Sequence, residues 1–312
     1  MEIINSTETF PHSTFVATIG FFDGVHLGHR YLLQMLKDQA NALGKESLVI
    51  SFDKHPKTII PTDYIPALLT DNEEKIELLD NFGIDAFVEL TFNKEMANLT
   101  AYEFLKQIIV GKLGVHTLYV GYNHRFGKNR EEGIKEYIKY GEELGLKIIE
   151  ASLFTVENTQ ISSSIIRKLI NTGDMQKANL FLSYPYSMEG IVVEGSKLGR
   201  TIGYPTANLK PINSNKIIPA HGVYAVQIFL HKKSFWGMLN IGNRPTINKD
   251  NKETIEVHII DFDEDIYNEK IKVSFFQKIR DEIKFNSAEE LISEINNDKR
   301  FTLDLSQKYS IK

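Results

Sequence analysis

The chain has 312 residues, a hydrophobic content of 42% and a net charge of −5. That length exceeds one typical domain, so two are expected, each with enough apolar material for a core. Mild acidity with both signs interspersed excludes broad nucleic-acid binding as the main task, and the lack of cysteine excludes a disulfide framework and thiol chemistry.

The N-terminus is polar and lacks a signal-peptide core, and no apolar run nears the roughly 18 residues of a membrane span. A cytoplasmic protein without a membrane partner is therefore expected. From residue 14 to about residue 155, strand-like and helix-like runs alternate. Residues 15–19 read as a strand, 31–43 as a helix closed by Gly44, and 47–52 as the next strand. Residues 73–81 are helical, with Thr70 or Asp71 as cap and Gly83 as stop. Then come strand 86–91, helix 101–110, strand 116–121, helix 132–143 and strand 147–153. This alternation predicts a parallel sheet covered by helices, with ligands beyond the carboxyl ends of the strands. Loops 20–29, 53–56 and 121–127 fall at such ends. Beyond residue 161 a helix opens that a serine caps and Gly173 ends, and Asp174 caps another reaching about Leu182.

Ser183-Tyr184-Pro185-Tyr186 breaks the helical pattern and separates residues 1–183 from 184–312. After it, 188–194, 222–230, 235–241, 254–260 and 270–277 read as strands with no long helix between them. That texture predicts an antiparallel barrel or sandwich. Residues 287–296 read as a closing helix, followed by a second short helical stretch.

Loop 20–29 reads Gly-Phe-Phe-Asp-Gly-Val-His-Leu-Gly-His. It is a strand-to-helix turn in which Gly20, Phe22, Asp23 and Gly24 bring the backbone close to a phosphate. Such a turn aims unpaired N–H groups and a helix dipole at an anion. His26 and His29 add donors that gain charge near neutral pH and follow charge developing on a phosphate. Alone, the stretch also fits a glycine turn with two surface histidines; a zinc site lacks a third ligand nearby. Asp53 and His55 suit a turn as well as a site. In 121–127, Asn123 can hydrogen-bond a ligand edge and Arg125 can grip a phosphate with two bonds. Ser162 and Ser164 at a helix start, with Arg167 one turn inside, form a second anion site or an ordinary capped helix.

In the second half, Gly195, Lys197, Gly199, Arg200, Gly203 and Pro205 make a phosphate loop plausible, although no Gly-Lys-Ser/Thr opens a helix there. Thr206 and Asn208 carry neutral oxygens two residues apart, which with nucleotide phosphates can hold Mg²⁺. Glu256 and His258 share one strand face, which a barrel can turn inward or leave solvated. A buried carboxylate there can take the proton of an attacking hydroxyl.

Together and in this order, these motifs resemble the bacterial bifunctional riboflavin kinase/FMN adenylyltransferases, also called FAD synthetases, over nearly the whole chain. Segment 20–29 is similar to the phosphate signature of the His-x-Gly-His nucleotidylyltransferases, and 161–167 to their later Ser-Ser-[Ser/Thr]-x-Ile-Arg signature. Segment 199–208 resembles the kinase module's Gly-Arg-x-x-Gly-x-Pro-Thr-Ala-Asn; 222–225, 240–246 and the stretch around Glu256 continue it.

The resemblance implies a Rossmann-like α/β nucleotidylyltransferase domain over 1–183 and an antiparallel β-barrel kinase domain with a closing helix over 184–312. The first would move AMP from ATP to the phosphate of FMN. His26 and His29 would stabilise the triphosphate, Ser162, Ser164 and Arg167 would hold phosphate oxygens, and Asn123 would position nucleotide or flavin. The second would phosphorylate the ribityl 5′-hydroxyl of riboflavin, with Thr206 and Asn208 on Mg–ATP and Glu256 as general base. The partners are then riboflavin, FMN and ATP, with no nucleic acid; a homo-oligomer stays open. One departure is Asn123-His124, where many relatives carry Asp-Phe. Three competing readings remain: an aminoacyl-tRNA synthetase, whose Lys-Met-Ser-Lys-Ser-like loop is missing; a chain with only one of the two activities; and a flavin or nucleotide sensor, which does not require Glu256, His26 and His29.

Overall fold

Residues Phe15–Ile19 are buried on both sides of their strand, which requires a sheet covered on both faces. The structure is a computed structural model that describes residues 1–12, 14–54, 67–122, 124–156, 158–195, 198–243 and 253–310. The chain divides into two compact units, Met1–Pro66 with Thr70–Ser162, and Ala67–Leu69 with Ser163–Lys312.

The first unit contains β1 (Glu2–Ile4), β2 (Phe15–Ile19), β3 (Glu46–Phe52), β4 (Ala86–Leu90), β5 (Val115–Val120) and β6 (Lys147–Glu150). They form a wholly parallel sheet in the order β1-β4-β3-β2-β5-β6. From β2 the chain winds first toward β3 and β4, then returns to β5 on the other side. That reversal opens a crevice above the carboxyl ends of β2 and β5.

The helices are α1 (Leu27–Leu43), α2 (Asn72–Phe82), α3 (Lys94–Asn98), α4 (Ala101–Phe104), prolonged by a π-helical turn over Leu105–Val110, and α5 (Ile134–Leu144). Val16, Val49, Phe87 and Tyr119 face Leu33, Leu36 and Leu79 on one side of the sheet. Ala17, Ile50, Val88 and Leu118 face Phe104, Leu105 and Tyr137 on the other. A short hairpin, β7 (Thr155–Val156) with β8 (Thr159–Gln160), follows. Asp71 is the cap of α2, closed as a capping box with Glu74. Helix α1 starts at Leu27, four residues before the expected position, because the His26 side chain accepts from His29 N and caps it.

The second unit contains α6 (Ser163–Thr172), α7 (Met175–Leu182), β9 (Ser187–Val193), α8 (Leu198–Thr201), β10 (Ala207–Pro211), β11 (Gly222–Leu230), β12 (Lys233–Asn243), β13 (Glu253–Ile259), β14 (Lys270–Arg280) and α9 (Ala288–Ser310). The strands close into an antiparallel barrel in the order β10-β13-β12-β11-β14-β9. Of the expected barrel or sandwich, the barrel forms. Leu305 of α9 packs with Ala225 and Phe276, and Trp236 covers them. In place of a closing helix and a second short one, α9 runs unbroken for 23 residues. Arg280 donates from Nη2 to the buried Asp298 at 2.8 Å and pins the middle of α9 to the barrel.

Candidate active sites

In the first unit, the segment after β2 forms a strained turn. Phe22, Gly24 and Val25 have φ of 53°, 82° and 32°, and a β-branched residue adopts such values only when its surroundings force it. Those surroundings are visible. Gly24 N donates to Thr70 Oγ1 at 2.9 Å, and Thr70 N donates to Asp23 Oδ1 at 3.0 Å. Val25 is fully buried, and its carbonyl accepts from Arg30 Nε at 3.2 Å. Asp23 is thus buried and holds the turn to the start of α2, an arrangement that suits a carboxylate better than facing a phosphate.

His29 N donates to His26 Nδ1 at 3.3 Å. An accepting Nδ1 carries no proton, so the neutral ring carries it on Nε2. The two imidazoles are stacked, with centroids 3.7 Å apart and planes 13° from parallel. Two charged rings so placed would repel. Burial first, then His26 and His124, hold His29 well below the ordinary histidine range. His29 Nδ1 is buried with no hydrogen-bond partner among the described residues. A Cβ on Gly28 would come within 3.2 Å of His26 Cε1, so this glycine makes room for the capping imidazole; segment 161–162, with the half-buried Ser162, passes beside the helix start.

Loop 121–127 lies beside this turn because β5 pairs with β2. It contributes His124, which sequence reasoning noted only as a departure. Burial, with Arg130 nearby, pushes its imidazole down to about 4. Arg125 instead donates to the carbonyls of Arg130 and Glu131 at 3.3 and 3.4 Å, so its guanidinium shapes its own loop. Asp53 Oδ1 accepts from Phe92 N at 2.9 Å and ties the end of β3 to the end of β4. Asn123, and His55 with Pro56, lie outside the described residues.

The two depressed imidazoles give the first unit an acid-labile stability. An unfolded histidine protonates near pH 6.5, whereas His124 in the fold waits until about 4. Between those values the unfolded state binds more protons, so stability is full above 6.5 and is lost as pH falls, by up to ~3 kcal/mol for this group. His124→Phe is expected to flatten that slope in urea melts of the full chain between pH 7 and 4. An unchanged slope would mean that His124 titrates normally.

In the second unit, the cross-strand register does the assembling. Asn208 of β10 and Asn240 of β12 both lie opposite Glu256 of β13. Thr206 Oγ1 donates to Glu256 Oε2 at 3.2 Å. Of the two placements open to Glu256 and His258, an inward face or a solvated one, the barrel takes the outer one. Ile255, Val257 and Ile259 are buried, while Glu256 and His258 are half-buried on the opposite face. An unpaired carboxylate inside the barrel would cost several kcal/mol, roughly 2–7 even for a neutral polar group; the three apolar side chains take the interior instead. His258 Nδ1 donates to Pro205 O at 2.8 Å, and Tyr204 lies edge-on to the imidazole at 5.2 Å.

The glycine-rich segment wraps this corner. Tyr204 N donates to Gly199 O at 2.8 Å, and Tyr204 Oη donates to Asn296 Oδ1 of α9 at 2.6 Å. A cleft of about 420 Å³ opens beside Thr206, lined by Arg200, Pro205, Val257, Ile259 and Phe262 among others. Gly203, with φ 83°, turns the chain toward it. A Cβ on Gly195 would collide with the Asn208 amide. Gly195→Ala is therefore expected to displace Asn208 and cut the activity of this half about tenfold or more while leaving the first half unchanged. Steady-state kinetics on each half checks this. Lys197 and residues 244–246 lie outside the described residues.

Helix α6 begins at Ser163, so Ser162 immediately precedes it; Ser164 is exposed in its first turn. Arg167 Nε donates to Ala67 O at 2.6 Å. Lys75 was missed in the sequence, because its partners Ser51 and Glu89 lie far away along the chain; Tyr204 and Asn240 fall in the segments 199–208 and 240–246, and the fold adds their partners Asn296 and Glu256.

Two family profiles match the chain, one described as FAD synthetase over residues 9–165 and one as riboflavin kinase over residues 182–305. The bifunctional riboflavin kinase/FMN adenylyltransferase of Escherichia coli strain K12 is 37% identical over 297 residues, 95% of this chain and 94% of that one. The protein of the same description from Listeria monocytogenes is 35% identical over 289 residues, 92% of this chain and 91% of that one. A solved structure named Macrolide-efflux Protein from Streptococcus pneumoniae matches with a TM-score of 0.86 at 29% identity, over 97% of this chain and 99% of that one. Among the described residues no helix is long and apolar enough to cross a membrane. Two profiles in this order, and relatives matched across almost their whole length, give one conclusion: the chain belongs to the family of bifunctional riboflavin kinase/FMN adenylyltransferases.

Proposed function

We propose that residues 184–312 phosphorylate riboflavin and that residues 1–183 adenylylate the FMN so formed. In the kinase half, Glu256 accepts the proton of the ribityl 5′-hydroxyl as that oxygen attacks the γ-phosphorus of ATP, and ADP leaves. The observation that carries this reading is the convergence of Thr206, Asn208 and Glu256 through a 3.2 Å hydrogen bond and a shared strand register. Oxygen donors of this kind, a hydroxyl and an amide beside a carboxylate, fit a hard cation, so Thr206 and Asn208 would hold Mg²⁺ together with ATP. When bound, Mg²⁺ offsets the phosphate charge. Arg200 and the flanking glycines, with Lys197 in the same segment, close over the phosphates.

In the adenylyltransferase half, the phosphate of FMN attacks the α-phosphorus of ATP and pyrophosphate leaves. The turn after β2 offers N–H groups and the start of α1 to the triphosphate. His26 donates from Nε2. His29 is neutral when free, and an N–H of its ring donates to the negative charge that builds beside it, so it binds the transition state better than the ground state. Asn123 positions nucleotide or flavin, while Ser162, Ser164 and Arg167 hold phosphate oxygens. No covalent enzyme intermediate is needed, since positioning and electrostatics suffice for both transfers. We place the enzyme in the cytoplasm, where its substrates and a cysteine-free chain are at home.

Chromatography of flavins tests this directly. Riboflavin with ATP and Mg²⁺ is expected to give FMN and then FAD, and FMN with ATP is expected to give FAD and pyrophosphate. Binding of flavin without turnover would favour a sensor. Loss of one product alone would leave a single active half.

A further inference from the structure

The first unit buries a lysine that neither transfer uses. Lys75 on α2 is only 4% exposed. Its Nζ donates to Ser51 Oγ at 3.0 Å and lies 3.6 Å from Glu89 Oε1. The same ammonium stands over the rings of Phe21 and Phe87, 5.1 and 5.6 Å from their centroids. Ser51 Oγ in turn donates to the Phe21 carbonyl at 3.4 Å. Ser51 and Glu89 sit at the carboxyl ends of β3 and β4, and Phe21 directly precedes the left-handed Phe22.

An ammonium taken out of water is costly, and an apolar side chain of equal length would fill the same space at lower cost. What the charge adds is direction. Through Ser51 it fixes the Phe21 carbonyl, and through the cation–π contact it fixes the Phe21 ring. We propose that Lys75 is a positioning residue for adenylyl transfer: its ammonium, held between Ser51, Glu89 and Phe21, keeps the backbone of residues 20–22 in the strained shape that faces the triphosphate. This rests on the reading that the turn after β2 binds the triphosphate.

The charged groups facing Lys75 are Glu89 from β4 and Asp23 from the turn. Burial moves its ammonium below the ordinary lysine range, and both carboxylates oppose that. FAD formation is therefore expected to fail on the alkaline side at a pH below that of an ordinary lysine. Glu89→Gln removes one opposing charge, so its alkaline limb is expected at still lower pH. Lys75→Met is expected to lower kcat/KM for ATP in FAD formation by about tenfold or more, as misplacement of a binding loop does. It should also abolish the alkaline limb, with FMN formation from riboflavin unchanged as the internal control for folding.

ATP kinetics within twofold of wild type in Lys75→Met would overturn the proposal. So would an alkaline limb unmoved by Glu89→Gln, which decides the matter even where Lys75→Met fails to fold. His29→Ala serves as the separate control: if it leaves FAD formation intact, the underlying reading of the turn falls, whatever Lys75 does.

Discussion

A Glu256→Gln enzyme is expected to convert supplied FMN to FAD at the wild-type rate and to make FMN from riboflavin roughly 10²–10⁴-fold more slowly. The substitution keeps size and shape, and its amide oxygen can still accept from Thr206, whose hydroxyl now lies 3.2 Å from the carboxylate. Glu256 is half-buried rather than sealed in the barrel, so folding stability should change by less than about 1 kcal/mol. What disappears is the group proposed to take the proton of the attacking hydroxyl. The loss should therefore fall on kcat, with KM for riboflavin and ATP little changed. Riboflavin must be the substrate in one assay and FMN in the other, because a chain unable to make FMN makes no FAD from riboflavin either. Loss of both activities in folded protein would refute the assignment of Glu256 to one half.

The parallel sheet and the barrel were legible because their signals are local. Apolar runs such as 15–19 and glycine stops such as Gly44 and Gly83 need no knowledge of distant partners; both glycines adopt left-handed conformations as caps. Strand β1 was not legible: three residues carry no period, and it exists only by pairing with β4. Strand β10 was not legible either, since it too is defined by its partners β9 and β13. Helix α9 passes through Asn296 and Asn297, poor helix formers, because Arg280 of the barrel grips Asp298 just beyond them.

The sites divide in the same way. Motif spacing marked Thr206, Asn208 and Glu256, but left open which way the face of Glu256 and His258 points. A period of two says that Glu256 and His258 lie together; it does not say which face is interior, and the alternating Ile255, Val257 and Ile259 decide that. Lys75 looked like one charge in a polar helix. Only the sheet beneath it, with Ser51 and Glu89 from two different strands, makes it part of the turn.

The converse of the Glu256 result is expected of His29→Ala: FMN formation unchanged and FAD formation lower by about 10²–10³-fold, the usual cost of deleting one donor that meets developing charge. His29 is neutral in the free enzyme, stacked on His26 and 5.0 Å from the Phe22 ring. On the proposed mechanism its N–H contributes most when negative charge builds as pyrophosphate departs, so kcat should fall further than KM for ATP rises. Removing the ring also loosens the stack, at a cost of about 1–2 kcal/mol to the first unit. That loss cannot imitate the expected result, since a folded kinase half in the same chain still makes FMN. His29→Asn, which restores a donor without the reach and orientation of the imidazole, should recover binding of ATP more than turnover. Full FAD synthesis by His29→Ala would show that the stacked pair is a helix cap and nothing more.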